Sequence, residues 1–433
     1  MPLPHSRLQA RELLLIGGPA ILVVLAAFWF AYQFVKPAPP SNLVITTGSQ
    51  SGGYYAFAKQ YREELAKNGI KLEILPSKGS VENLERIEQA SSNVDLALMQ
   101  GGIADGKEAP DVMSYGRIFL EPLWIFHRIP GPVSDLEDLK GKRIAIGPEG
   151  SGTRKLALDL LKAVSVDGSN STLLPLGSTA AQSALESGEA DAAFFTLAPE
   201  SPLVQQLLTN EALKILSLRR AEAYTRRFPF LSRVVLPEGA IDLARNLPRT
   251  DVVMVAAQAA LLARNTLHPA LAWPLVDALK TVHSHGGMFQ RVAEFPRAFD
   301  PEYPMSEDAE RIYTNGPPFF QRFLPFWLAS LIERMIIMIV PIATILIPLV
   351  KIGPMIYEWR IRSRLLYWYG QLKGLERRLG SGAAPPNIGE LRGEIERIEE
   401  AVSTIPVPLH YSDRQYELRA AIDLVRQRLH SRV

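Results

Sequence analysis

The chain contains no cysteine. That excludes disulfides, thiolate metal sites and a cysteine nucleophile. It has almost no net charge: 47 Lys and Arg against 45 Asp and Glu leave +2. The overall balance therefore gives no support to a nucleic-acid partner. Histidine is scarce, with seven in 433 residues. The pair His283-x-His285 has no nearby carboxylate or third histidine at ligand spacing, so a helix-end role fits it better than a metal. Gly147 to Arg154 looks like a phosphate loop but lacks the Gly-Lys-Ser/Thr ending, which argues against a nucleotide. No nucleophile, histidine and carboxylate can be grouped by spacing. The sequence thus points to no enzyme, no metal and no cofactor.

What is present begins with two long apolar runs. Leu13 to Val35 carries no charge and is long enough to span a bilayer. Arg7 and Arg11 precede it, and Lys36-Pro37-Ala38-Pro39-Pro40 follows. A cleaved signal peptide would have a shorter apolar region ending at small residues, so an uncleaved anchor is expected. The second run extends from Met335 to Tyr357, with Lys351 near its end. A membrane helix tolerates Pro341, Pro348 and Pro354 where neighbours satisfy the freed carbonyls. Arg360, Arg362, Arg364, Lys373, Arg377 and Arg378 follow it. The excess of positive charge outside both runs predicts cytoplasmic termini and a periplasmic middle. The expected order is a cytoplasmic N-tail (1–12), a transmembrane helix (13–35), an extracytoplasmic domain (42–318), a second transmembrane helix (335–357) and a cytoplasmic helical tail (358–433).

From Asn42 to Pro318 strand and helix signals alternate, the pattern of an α/β fold with parallel strands. Strands are expected at 43–46, 71–75, 94–99, 123–126, 143–146, 190–195, 214–218 and 250–255. Helices are expected at 80–89, 153–164, 179–186 and 271–283. Beyond the second apolar run, 356–379, 390–403 and 413–429 read as helices. Ile395, Ile398 and Val402, then Leu418, Ile422 and Val425, form stripes too narrow for a self-sufficient core. These helices are expected to need a partner or a second copy, hence a homodimer through the tail.

Two Ser/Gly loops each follow a strand-like run and open a helix. They are Thr47-Gly48-Ser49-Gln50-Ser51-Gly52-Gly53-Tyr54-Tyr55 and Gly147-Pro148-Glu149-Gly150-Ser151-Gly152-Thr153. Backbone N–H groups and hydroxyls at a helix start form an anion site. A short echo joins them: Gly79-Ser80, a helix and the strand Asp95-Leu96-Ala97-Leu98 resemble Gly177-Ser178, a helix and Asp191-Ala192-Ala193-Phe194. Loops of this kind at strand carboxyl ends are where open α/β sheets bind ligands. Candidate ligand residues are Ser49, Ser51, Gly52, Gly53, Tyr54, Gly79, Ser80, Gln100, Glu121, Ser151, Gly152 and Thr153. Each also has a plain structural role open to it: N-cap, tight turn, core tyrosine, satisfied buried amide or interlobe ion pair.

In order along the chain, TGSQSGGYY, KGSVENLERIEQASSNVDLALMQ, FLEPLWIFHR, LEDLKGKRIAIGPEGSGT, LESGEADAAFF and MFQRVAEFPRAFDPEYPMSEDAERIYTNGPPFF resemble the TAXI-type solute-binding subunits of TRAP transporters. The resemblance implies a two-lobed Venus-flytrap receptor of the periplasmic-binding-protein fold. Lobe one would be 42–125 with 233–318, and lobe two 126–232. It also implies a small carboxylate ligand, an amino acid or dicarboxylate, and a TRAP-type permease as partner. The chain departs from the family pattern in its two apolar runs, its helical tail and the Gly101-Gly102 pair after Gln100. The tail leaves a second role open: a sensor that passes lobe closure through the bilayer to a cytoplasmic signalling partner.

Overall fold

The computed structural model describes residues 18, 21–30, 32–33, 37–50, 52–380, 388–405, 407 and 412–430. The chain divides into two compact units, Ala38–Leu331 and a second formed by Met1–Pro37 with Ile332–Val433.

The larger unit is built on ten strands: β1 (Asn42–Thr46), β2 (Lys71–Leu75), β3 (Leu96–Gln100), β4 (Val112–His127), β5 (Arg143–Ala145), β6 (Thr172–Leu174), β7 (Ala192–Thr196), β8 (Lys214–Ile215), β9 (Leu231–Leu236) and β10 (Val252–Arg264). Their order is β2-β1-β3-β10-β4-β7-β5-β6, with β8 beside β4 and β9 beside β10. At one end β1 pairs in parallel with β2 and β3; at the other, β5 pairs in parallel with β6 and β7. Between them β4 and β10 run antiparallel to each other and to their remaining partners. The expected parallel pairing is therefore found at the two ends, and the middle is antiparallel. The chain crosses the middle twice, in opposite directions, along these two long strands.

Both crossing strands are at odds with their local sequence signals. Ala256, Ala257, Ala259, Ala260 and Ala263 of β10 favour a helix in isolation. All are buried between β3, β4 and β9, where close packing on both faces outweighs that preference. Pro122 sits inside β4 at the point where β4 leaves β10 for β7. A missing N–H is tolerated there because the ladder changes partner at that residue.

Eight helices cover the sheet: α1 (Gly53–Ala66), α2 (Ser80–Glu88), α3 (Gly152–Ala163), α4 (Ser178–Ser187), α5 (Pro202–Thr209), α6 (Ala221–Arg227), α7 (Ala272–His283) and α8 (Glu307–Asn315). Each buries one apolar stripe. Leu65 of α1 and Leu275 and Leu279 of α7 pack on Leu43, Leu98 and Leu261. Leu156 and Leu160 of α3 pack on Ile125 and Ile144. Ala181 and Leu185 of α4 and Val204 of α5 close over Trp124, Phe126 and Phe195. Fully burying one leucine contributes roughly 1.5–3 kcal/mol over leaving it exposed. These separate clusters, split between the two ends of one sheet, place the strand carboxyl ends around a common cavity.

In the smaller unit, α9 (Phe326–Gly380) begins in the larger one and joins α10 (Ile388–Ser403) and α11 (Ser412–His430). The elements expected at 335–357 and 356–379 are one uninterrupted helix. Ile395, Ile398 and Val402 of α10 and Leu418, Ile422 and Val425 of α11 are buried with Leu365, Leu372, Leu375 and Leu379 of α9. The stripes expected to need a partner or a second copy are covered within one chain, because the basic helix before them supplies a third apolar face. Of the span expected at 13–35, residues 18, 21–30 and 32–33 are described and helical; the others lie outside the described residues, as do several side chains of the span at 335–357. Among the described residues, no helix is long and apolar enough to cross a membrane.

Candidate ligand-binding cavity

At the carboxyl ends of β1, β3, β5 and β7 lies a cavity of about 420 Å³. Residues at five helix starts line it: Gly52 and Gly53 at α1, Gly79 and Ser80 at α2, Ser151 to Thr153 at α3, Gly177 and Ser178 at α4, Ser201 and Pro202 at α5. A helix start presents unpaired N–H groups and the positive end of a dipole unless a side chain caps it. Only α3 has a side-chain cap. The Ser151 hydroxyl accepts the Arg154 N–H at 3.2 Å and donates to the Pro148 carbonyl at 2.7 Å. The other four have none, which leaves their first-turn N–H groups for whatever fills the cavity.

Every sequence-predicted site residue lines this one cavity except Ser51, which lies outside the described residues. Their roles differ. Ser151 is committed to its cap. Ser80 is buried, and its hydroxyl accepts the Gln100 N–H at 3.0 Å. The Thr153 hydroxyl bonds the Thr196 hydroxyl. Gln100, at the end of β3, is also buried, and its Nε2 donates to the Gly152 carbonyl at 3.2 Å. This bond ties one end of the sheet to the other. Gly79 explains itself here: its φ is +138°, and a Cβ would lie 3.1 Å from the Ser151 Cα. A Cβ on Gly152 would lie 2.5 Å from the Gln100 Oε1.

Glu121 of β4 is the carboxylate in the cavity wall. The Tyr54 hydroxyl donates to its Oε2 at 2.7 Å. Burial pushes the Glu121 carboxyl up to about 7, against the lowering effect of the Tyr54 hydrogen bond. Burial and the neighbouring carboxylate push the Tyr54 phenol well above its ordinary range. Glu121 therefore titrates near neutrality. Charged, it suits an ammonium; protonated, it donates a hydrogen bond to an anion.

Behind Gln100 the wall is held by a buried ion cluster that the sequence did not reveal. Arg117 of β4 donates to the Gln258 carbonyl at 2.6 Å, Asp300 at 2.5 Å and Glu302 at 2.6 Å. Glu302 in turn accepts the Gly102 N–H at 2.7 Å. The Gly101-Gly102 departure has a steric cause. Gly102 has φ +88°, and a Cβ there would lie 2.4 Å from the Phe230 ring. His283 ends α7, buried against Phe57 and stacked on Phe119, where it bonds the Tyr61 hydroxyl. Burial lowers its pKa to about 3. Among the described residues no cluster suits a metal.

Lys78, Gly177, Ser178, Thr196 and Ser201 also line the cavity. Lys78 lies in the quoted KGS run, and Gly177-Ser178 is half of the internal echo. Ser201-Pro202 is an N-cap followed by proline at the first helical position, a legible helix start. Thr196 had no signal beyond closing a strand.

This geometry is that of an α/β periplasmic-binding-protein-like fold. The chain belongs to the NMT1-like family, which it matches over residues 45–284, more than half its length. Among solved structures it is similar to the alkanesulfonate-binding protein SsuA from Xanthomonas axonopodis pv. citri bound to MOPS. That match has 19% identity and a TM-score of 0.38, and covers 57% of this chain and 74% of that one. It is also similar to the periplasmic aliphatic sulphonate binding protein SsuA from Escherichia coli, at 16% identity and a TM-score of 0.37, covering 74% and 93%. An ancestral arginine-binding protein bound to arginine matches at 14% identity and a TM-score of 0.36, covering 56% and 92%.

Proposed function

We propose that this protein is a membrane-tethered extracytoplasmic receptor for a small carboxylate, an amino acid or dicarboxylate. It serves a TRAP-type permease as a TAXI-type subunit. Lobe one is 42–125 with 233–318, lobe two is 126–232, and the ligand bridges them. The tether is the pair of apolar runs at 13–35 and 335–357, with both termini in the cytoplasm. The observation that carries the reading is the convergence of five helix starts, four without a side-chain cap, around one titratable carboxylate. The N–H groups hold the ligand carboxylate. Glu121 meets an ammonium or, protonated, a second carboxylate. Ligand contacts on both sides select the closed state, to which the Gln100–Gly152 bond also contributes.

The test is to identify what the purified full-length protein retains, by mass spectrometry, and to measure its affinity. A small carboxylate is expected; a retained cation or an uncharged apolar molecule overturns the reading. Gly152→Asp places a negative charge against the ligand anion. Losing charge-assisted hydrogen bonds of ~1.5–3 kcal/mol weakens binding roughly 10- to 100-fold. Unchanged affinity in the folded variant rejects the site. Reporter fusions at residues 200 and 420 are expected on opposite sides of the membrane.

A second reading has its own observation. The unit holding α10 and α11 possesses a core of its own, more than a tether needs, as a sensor's output element would. Deleting Ile388 to Val433 separates the two: transport predicts that uptake survives, sensing that a downstream response is lost at unchanged affinity.

A further inference from the structure

A second cavity, of about 560 Å³, lies beside β9, β10 and the 287–297 loop and shares Leu120 with the first. Its volume is that of a small-molecule site. Arg233, Arg291 and Arg297 line it against a single carboxylate, Glu294. Glu294 is already engaged: it bonds the Arg297 guanidinium at 2.5 Å and accepts the Arg291 N–H at 2.8 Å. The cavity thus holds two more positive charges than negative ones. Arg233 and Arg291 form no ion pair with any described residue. Its walls are preformed. The backbone of Arg297 exchanges two hydrogen bonds with Arg117 of β4, at 2.8 and 3.1 Å. Ala293 N–H is tied to the Ser284 carbonyl at 2.7 Å, and the Phe289 ring sits edge-on to Trp124.

One residue links this cavity to the first. The Gln258 side chain lines it and donates to the Ser232 hydroxyl at 2.9 Å. The Gln258 carbonyl accepts the N–H of Gly101 at 3.0 Å and the Arg117 guanidinium at 2.6 Å. Gly101 follows Gln100, whose side chain reaches Gly152 across the first cavity.

We propose that the second cavity is a binding site for a small dianion, held by Arg233 and Arg291, whose occupancy is coupled to that of the first cavity through Gln258. Two guanidinium groups without partners suit a phosphate or a dicarboxylate, since each forms paired hydrogen bonds with two oxygens. A bound dianion fixes Ser232 and Gln258, and with them the position of Gln100. By linkage, each ligand then changes the affinity of the other by the same factor.

The assay is hydrogen exchange of the full-length protein with inorganic phosphate, against chloride at equal ionic strength. Phosphate is expected to protect the 231–236 and 287–297 segments, and chloride is not. Replacing Arg233 and Arg291 together by Ala removes two exposed side chains without disturbing the core, and should weaken this protection at least tenfold. Loss of the first ligand's binding with phosphate protection of 231–236 and 287–297 retained, or the reverse, tells failure of the first site apart from failure of this one. Equal protection by chloride, protection unaffected by the double variant, or capture of a Glu-rich peptide with no effect of phosphate overturns the site. Retained phosphate binding with no change at Gln100 or in the first ligand's affinity overturns the coupling.

Discussion

The larger unit contains the same small construction twice, and its two copies do different work. In each, a Gly-Ser pair opens a helix, and an aspartate then precedes a strand. The aspartates behave alike: Asp95 Oδ2 accepts the Val44 N–H of β1 at 2.8 Å, and Asp191 Oδ2 accepts the Arg143 N–H of β5 at 2.9 Å. In return, Asp95 N–H bonds the Val44 carbonyl and Asp191 N–H the Arg143 carbonyl. The serines do not behave alike. Ser80 is buried and spends its hydroxyl on the Gln100 N–H, whereas Ser178 is exposed at the cavity edge. One copy builds the wall and the other faces what the wall encloses. The lesson is that a repeated motif fixes a backbone position, while burial decides whether its side chain is structural or available.

The largest expected effect concerns Glu121, the charge that both copies face. Its folded pKa of about 7 lies above its ordinary 4.5. The folded state binds the proton more tightly, so stability falls as pH rises from about 4.5 to 7 and is level above that. Glu121→Gln keeps an acceptor for Tyr54 and removes the ionisation. It should raise stability above pH 7 by up to about 3 kcal/mol and flatten that decline. Urea denaturation at pH 5 and pH 8 measures this; an equal change at both would show that ionisation is not the cause.

A smaller effect separates the serines. Ser80→Ala leaves the buried Gln100 N–H without its acceptor and should cost about 1–3 kcal/mol. Ser178→Ala should stay within about 0.5 kcal/mol and show itself in ligand affinity instead. Equal destabilisation by the two would erase the distinction.

The smallest effect distinguishes the aspartates by the sign of their pH dependence. Burial raises the pKa of Asp95, whereas the side-chain hydrogen bond from Arg143 leads the lowering at Asp191. Asp191 therefore contributes stability above its ordinary pKa that is lost as pH falls; Asp95 contributes a cost that grows as pH rises. Asp191→Asn should lower stability near pH 7 by about 1 kcal/mol or less, since the Arg143 pair is partly exposed. Asp95→Asn should reduce the fall of stability with rising pH. Parallel pH profiles for the two variants would break the contrast.

Much of this site was legible because helix starts are written locally. Gly-rich loops after apolar strands mark the N-termini of α1 and α3, and the echo marked α2 and α4. The crossing strands were not legible. The alanines of β10 carry a helix-former's signal beyond Val255, and Gly116, Arg117 and Pro122 obscure β4. Nor could the Arg117 cluster be read. Asp300 and Glu302 lie more than 180 residues away in sequence, and no local pattern links them.

By itself the sequence determined the elements whose cause is short-range: the strand–loop–helix units, the helix starts that open them, and the apolar stripes of α10 and α11. Only the tertiary structure decided which of those groups face one cavity, which serines are spent on the wall, and that Glu121 titrates near neutrality. It also decided that the tail's stripes are covered by α9 rather than by a second copy. The physical reason is that propensity and capping act within a few residues. Burial, desolvation and ion pairing depend on what distant parts of the chain bring into contact.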